Sequence, residues 1–318
     1  MPRSSSGQNG TRLEVVDGAR PATTRCGYVA LIGAPNVGKS TLLNRFVGHK
    51  LAIVTPKAQT TRNRLLGIAI VGPTQIVFVD TPGIFAPRRR LDRSMVAAAW
   101  SGAEDADETL LLVDASRGVD QDTRQILDRL AERNRKSILA INKVDMVPRD
   151  SLLGLAHALS REGRFEPIFM ISGLNGDGVE DVRRYLAASL PEGPWLFPED
   201  QLSDAPERLI AAEVTREQVF LRLHDELPYA STVETEQWQD KPDGSVRIEQ
   251  VIYVQRPSQR AIVLGERGQR IKAIGARSRA ELERMLERRV HLFLFVKVRQ
   301  NWVEDRERFK ALGLDYDP

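Results

Sequence analysis

The 318-residue sequence holds a single cysteine, Cys26, so no disulfide can form within the chain, and its four histidines (His49, His157, His224 and His291) are too scattered to complete a zinc site with it. Any metal is therefore expected to be oxygen-bound. No apolar run approaches the roughly 20 residues needed to cross a bilayer, and the first residues lack the charged-then-apolar pattern of a signal peptide, so an intracellular location is expected. Surplus charge is also scarce. Against 46 Lys and Arg stand 43 Asp and Glu, a net charge of +3, which excludes a uniformly basic surface for nucleic acid and leaves only local concentrations to matter. No internal repeat is present. What remains, 42% hydrophobic and 28% charged residues, is the make-up of a globular chain whose length allows about two domains with full cores.

Residues 1–25, with Ser4-Ser5-Ser6-Gly7 and Asn9-Gly10, show no apolar periodicity and are expected to be a disordered tail. From residue 26 to 190, short apolar runs alternate with amphipathic stretches. Strands are expected at Tyr28–Ile32, Leu65–Val71, Ile76–Val79, Thr109–Val113, Ser137–Ile141 and Pro167–Ile171. That rhythm predicts a mostly parallel sheet covered by helices on both faces. Residues 191–206 are proline-rich and read as a linker. Residues 207–318 follow a different plan: a helix over Glu207–Leu227, strands Ala230–Trp238 and Ser245–Gln255 joined by the hairpin turn Lys241-Pro-Asp-Gly244, a short strand Ala261–Leu264, a long helix after Gly268, a strand His291–Val298 and a last helix near Asp305–Leu312.

The chemistry of the first unit is carried by Gly33-Ala34-Pro35-Asn36-Val37-Gly38-Lys39-Ser40-Thr41, which fits G-x-x-x-x-G-K-[ST] and follows an expected strand. Such a loop wraps phosphates with backbone amides, neutralises the outer ones with its lysine, and offers the hydroxyl of Ser40 to Mg²⁺. Asp80-Thr81-Pro82-Gly83-Ile84 ends another strand, where an open parallel sheet places its ligands. Asp80 there can hold Mg²⁺ through water, and Gly83 can offer its amide to a terminal phosphate. Asn142-Lys143-Val144-Asp145 ends the next strand. Asp145 can accept both donors on the guanine edge, with Asn142 bracing the loop and offering its amide, and Lys143 lying over the ring; adenine lacks those donors. Between these motifs, the loop Lys57-Ala-Gln-Thr60-Thr61-Arg62 offers Thr61, chosen over Thr60, as a hydroxyl for Mg²⁺ and an amide for the γ-phosphate. Ser172-Gly173-Leu174 closes the last strand and can touch the base through backbone amides.

In the second unit, Gly265-Glu266-Arg267-Gly268 is a G-x-x-G turn followed by a helix, the device with which KH modules clamp about four nucleotides of single-stranded RNA. Arg267, Arg270 and Lys272 would meet the phosphate charge. Residues 256–299 carry twelve Lys and Arg against four Asp and Glu, a local surplus of eight in a chain whose total is +3.

Together these segments resemble the translation-factor-related GTPases, and the G-x-x-G stretch narrows the resemblance to the Era family of ribosome-assembly GTPases, from about residue 27 to residue 314. The resemblance implies a P-loop GTPase domain followed by a type II KH domain. It makes the five segments above the GTP and GDP contacts, with Ser40, Thr61 and Asp80 around Mg²⁺ and Lys39, Thr61, Gly83 and Asn36 in the catalytic set. Glu266 and Arg277 join the RNA-contacting residues. Gly173 departs from the alanine usual at its place, a change that keeps the backbone donor. It further implies the 3′ end of 16S rRNA as ligand, action in 30S subunit assembly, and a monomer with peripheral inner-membrane association.

At the position where Ras-like relatives carry a water-orienting glutamine stands Ile84, so slow intrinsic hydrolysis is expected. Asn36 resembles the asparagine that ligates K⁺ in cation-dependent GTPases; it can equally serve only to shape the loop. The competing reading of the second unit is a GTP-regulated adaptor that binds protein or acidic lipid headgroups.

Overall fold

The computed structural model describes residues 23–318 except 58, 59, 63, 88, 134, 135, 301, 303 and 304. Most of the expected tail, residues 1–22, lies outside that range. Its expected end does not hold, because Arg25 already belongs to a strand and pairs with Thr74.

In the first unit β1 (Arg25–Ile32), β2 (Leu65–Val71), β3 (Thr74–Asp80), β4 (Glu108–Asp114), β5 (Ser137–Asn142) and β6 (Phe165–Met170) form one sheet in the order β2-β3-β1-β4-β5-β6. All neighbours are parallel except β2, which is antiparallel to β3. The central strands are buried on both sides, which explains why they read as continuous apolar runs rather than alternating ones. Around the sheet lie α1 (Lys39–Val47), α2 (Arg90–Asp105), α3 (Gln121–Glu132), α4 (Arg149–Ser160) and α5 (Val179–Ser189). On α1, Leu42, Leu43 and Phe46 fall on one face and are buried, and Phe46 stacks on Phe78 of β3 at 4.4 Å.

The proline-rich stretch 191–206 is irregular, as its composition predicts, but it is bonded along its length. Gln75 receives the amides of Leu196 and Phe197 at 2.9 and 3.0 Å, and the amide of Ile68 on edge strand β2 is donated to the carbonyl of Leu202 at 2.8 Å. A row of edge donors that would otherwise invite strand pairing is thereby partly covered.

The second unit comprises α6 (Glu207–Arg222), β7 (Ser231–Asp240), β8 (Val246–Val254), α7 (Pro257–Leu264), α8 (Gln269–Leu286), β9 (Val290–Val298) and α9 (Arg306–Ala311). Its sheet runs β7-β8-β9, with an antiparallel hairpin followed by a parallel third strand. Apolar residues of α6 and α8, among them Val219, Ile274 and Leu282, pack on one face of it. The short strand expected at Ala261–Leu264 is instead the end of α7. Pro257 stands at its start, and the Gln259 side chain returns to the Arg256 amide at 3.0 Å, an N-terminal closure that a four-residue apolar run does not reveal. The helix expected through Leu227 stops at Arg222.

Candidate functional site: a phosphate cleft and a glycine turn

The ends of β1, β3, β4 and β5 open on a cleft of about 480 Å³, lined by Pro35, Asn36, Gly38, Lys39, Ser40 and Thr41 of the phosphate loop, by Thr61, by Gly83, and by Asn142, Lys143, Asp145 and Leu174. At its floor, the Lys39 ammonium donates to the carbonyls of Gly33 and Ala34 at 2.9 and 3.1 Å. Burial lowers its pKa to about 8, against the opposing pull of Asp80. Burial pushes Asp80 the other way, up to about 6. Ser40 Oγ lies 3.0 Å from both Thr61 Oγ1 and Asp80 Oδ2, and Thr61 Oγ1 lies 3.3 Å from the same Oδ2. Three oxygens from three separate segments thus converge. Asp80 Oδ1 is buried without a hydrogen-bond partner. Thr60 does not enter this group; its carbonyl receives Arg216 Nη2 from α6.

Thr81 hydroxyl is spent on the Leu31 carbonyl at 2.6 Å, which fixes the turn into Pro82 and Gly83. Gly83 is in contact with the phosphate loop, since a side-chain carbon there would come within 3.0 Å of Pro35. Ile84 donates its amide to Gly33 O at 3.1 Å and buries its side chain in the core, 3% exposed, so its side chain offers no polar group to the cleft. Asn36 donates Nδ2 to Pro56 O at 2.9 Å.

At the other end of the cleft, Asn142 braces two loops: Nδ2 donates to Val37 O at 2.7 Å and Oδ1 accepts the Gly173 amide at 2.8 Å. Asp145 is exposed beside them. Val144 donates its amide to Ile171 O at 3.2 Å, and Ser172 Oγ accepts the Asn175 amide at 3.1 Å. The Lys143 ammonium is paired with Asp114 at 2.6 Å, which aligns its stem along the cleft wall. Burial alone would raise the Asp114 carboxyl, but its bonds from Lys143 and Ser116 prevail and hold it below the ordinary carboxylate range. Asp114, Arg117 and Met146 also line the cleft and were not legible in the sequence, because none belongs to a spaced motif.

In the second unit, Gly265, Arg267 and Gly268 adopt positive φ of 70, 47 and 76°, three of the four residues of the turn. Nothing lies within 4 Å of where a side chain at Gly268 would begin, so backbone is open to a ligand there. Glu266, Arg267, Arg270, Lys272 and Arg277 are exposed. Arg270 also donates to Ile262 O. Beside the turn runs a groove of about 290 Å³ between α8 and β9, with Lys272 and Arg279 on its rim and Leu292 and Leu294 at its base.

A P-loop nucleotide cleft and a G-x-x-G turn, each on its own sheet, define a GTPase joined to a KH domain. Residues 28–143 match the family of 50S ribosome-binding GTPases, and residues 226–303 match the KH domain family. GTPase Era of Rhizobium meliloti (strain 1021) is 59% identical over 306 residues, 96% of this chain and 97% of that protein, and GTPase Era of Brucella suis biovar 1 is 57% identical over 293 residues, 92% and 94%. Among solved structures, Era in complex with MgGDPNP and nucleotides 1506–1542 of 16S ribosomal RNA is similar with TM-score 0.87 and 37% identity, covering 93% of this chain and 100% of that one. An Aquifex aeolicus Era variant bound to GDP·AlF4⁻ gives 0.86 and 38% over the same shares. The chain belongs to the Era GTPase family and is a GTPase.

Proposed function

We propose that this GTPase is a nucleotide-dependent clamp for the unpaired 3′ end of 16S rRNA and acts during assembly of the 30S subunit. The observation that carries the reading is the placing of one segment. Thr61 shares the oxygen cluster of the phosphate cleft, while its neighbours are tied to the second unit: Thr60 O to Arg216, and Arg62 to the carbonyls of Ser231 at 2.8 Å and Tyr229 at 3.0 Å. A segment held at both ends can convey which nucleotide is bound. The glycine turn and its cations supply the clamp, and the relative solved with a 16S fragment supports that choice of RNA.

Within the cleft, Asp145 would read guanine, Asn142 would hold its loop in register, and the Ser172, Gly173 and Leu174 backbone would flank the base. Lys39 would neutralise the outer phosphates, and the Gly83 amide would sense the terminal one. Ser40, Thr61 and Asp80 fit Mg²⁺, because the set is all oxygen and Asp80 keeps a buried, unpartnered Oδ1. The ion would offset charge on the β- and γ-phosphate oxygens. Ile84 leaves no glutamine to orient water, so backbone groups would do so and turnover would be slow. Whether Asn36 helps to hold K⁺ is tested by replacing it with Na⁺: an unchanged rate removes that role. Among the described residues no helix is long and apolar enough to cross a membrane; on this reading the chain works as a cytoplasmic monomer, with any inner-membrane contact peripheral.

The direct test is affinity for a 16S 3′-end oligonucleotide with a non-hydrolysable GTP analogue and with GDP. A nucleotide-dependent difference, lost in Gly268→Asp, is expected. Binding of neither RNA nor its crosslinks at Arg267 would overturn the proposal.

A further inference from the structure

Among the described residues, the wall between the phosphate cleft and a second cleft of about 690 Å³ contains one cation with no part in the nucleotide motifs. Arg117, in the turn between β4 and α3, lines both cavities. Its Nη1 donates to the carbonyl of Pro35 at 2.8 Å, while its Nη2 is paired with Asp120 at the start of α3. Pro35 is the phosphate-loop residue against which Gly83 is seated, so closely that a side-chain carbon at Gly83 would lie 3.0 Å from it. The next residue, Ile84, is tied to the same loop through the Gly33 carbonyl. The Arg117 side chain is 39% exposed, so it can be changed without opening the core.

We infer that Arg117 is a positioning residue for hydrolysis: it clamps the apex of the phosphate loop through the Pro35 carbonyl and so fixes where Gly83 stands. This rests on the reading of Gly83 as the sensor of the terminal phosphate. The physical argument is geometric. In a site that lacks a glutamine, the attacking water and the terminal phosphate must be aligned by backbone groups, and an alignment error well under 1 Å is costly. Pro35 cannot donate a hydrogen bond from its own nitrogen, and among the described residues only the Arg117 side chain bonds its carbonyl. On the reading above Lys39, Asp145 and the loop amides hold the nucleotide, and Arg117, although it lines the cleft, bonds the loop at the Pro35 carbonyl and at none of those groups. Its removal should therefore separate turnover from binding.

The experiment compares wild type, Arg117→Ala and Arg117→Lys at saturating Mg·GTP, together with GDP affinity, melting temperature and the ³¹P NMR signal of a bound GTP analogue. Arg117→Ala is expected to lower kcat about ten-fold with GDP affinity and melting temperature unchanged, and to broaden or split the γ-phosphate resonance. Arg117→Lys, which can still donate to the carbonyl, is expected to recover most of the rate. A wild-type kcat in Arg117→Ala overturns the inference. So does a loss of rate matched by equal losses of affinity and stability that lysine does not rescue. The Gly83 reading fails separately: Gly83→Ala would then keep wild-type turnover, whatever Arg117→Ala does.

Discussion

The two ligand surfaces of this molecule solve recognition in opposite ways. The phosphate cleft is built before its ligand arrives: Lys39, Asp80 and Asn142 are buried and each is already bonded within the protein. The glycine turn has almost nothing built. Its cations are exposed and space stands open at Gly268. A cleft whose loops are pinned by buried groups such as Asn142 holds even an exposed side chain such as Asp145 at a set place, so a base with the wrong donors leaves hydrogen bonds unmade. Exposed charges and accessible backbone grip a chain by its phosphates and discriminate far less. The first surface therefore suits a switch that must tell one nucleotide from another, and the second suits a long polymer.

The most severe way to break the contrast is at the discriminating end. Asp145→Asn is expected to weaken GTP by about a thousand-fold and to favour xanthosine triphosphate, as competition binding would show; equal loss of both would remove Asp145 from the base. Lys39→Ala should cost nearly as much in triphosphate affinity by calorimetry, with no preference for one base over another. On the other surface, Gly268→Asp should abolish RNA binding in a filter assay while leaving hydrolysis intact. Replacing Arg62 by Met should leave both affinities within about two-fold but erase most of the difference in RNA affinity between GTP and GDP states, a coupling of about five-fold or more in typical switches.

The smallest effect is in protons. Asp80 is raised to about 6, so near pH 6 part of the population must shed a proton when Mg·nucleotide binds and restores its charge. Lys39 is lowered to about 8, so near pH 8 part must take one up when phosphate arrives. Calorimetry in buffers of different ionisation enthalpy should show the sign reverse between these values. Asp80's own contribution to the stability of the nucleotide-free fold should accordingly rise as pH falls from about 6 toward about 4, where the native carboxyl holds a proton that the unfolded chain does not, while depressed carboxylates such as Asp114 act in the opposite sense at lower pH.

The sequence was most informative where chemistry forces both residue type and spacing. The phosphate loop, Asp80–Gly83 and Asn142–Asp145 each sit at the end of a strand, and the strands themselves were legible because a sheet buried on both faces needs uninterrupted apolar runs. Thr61 is preferred to Thr60 in the sequence by only a narrow margin, and the structure shows the difference, one facing the oxygen cluster and the other α6. Ala261–Leu264 misled because four apolar residues suit either element, and the deciding signals, Pro257 and Gln259, lie upstream. Arg117 and Asp114 were invisible for a different reason: their partners, Pro35 and Lys143, are 82 and 29 residues away. The contact of Arg62 with Ser231 spans 169 residues and no local pattern encodes it.

The far end of the chain returns to the first unit. Phe309 and Leu314 cover Leu91 and Met95 on α2, and Arg90 meets Asp317 at 3.0 Å and lies over the Tyr316 ring. During synthesis the GTPase unit emerges first, yet this greasy strip must wait for roughly two hundred more residues to be made before its lid exists. A nascent chain stalled in that interval would present an uncovered hydrophobic flank beside the very helix that follows Gly83, and chaperone capture is expected to be greatest there.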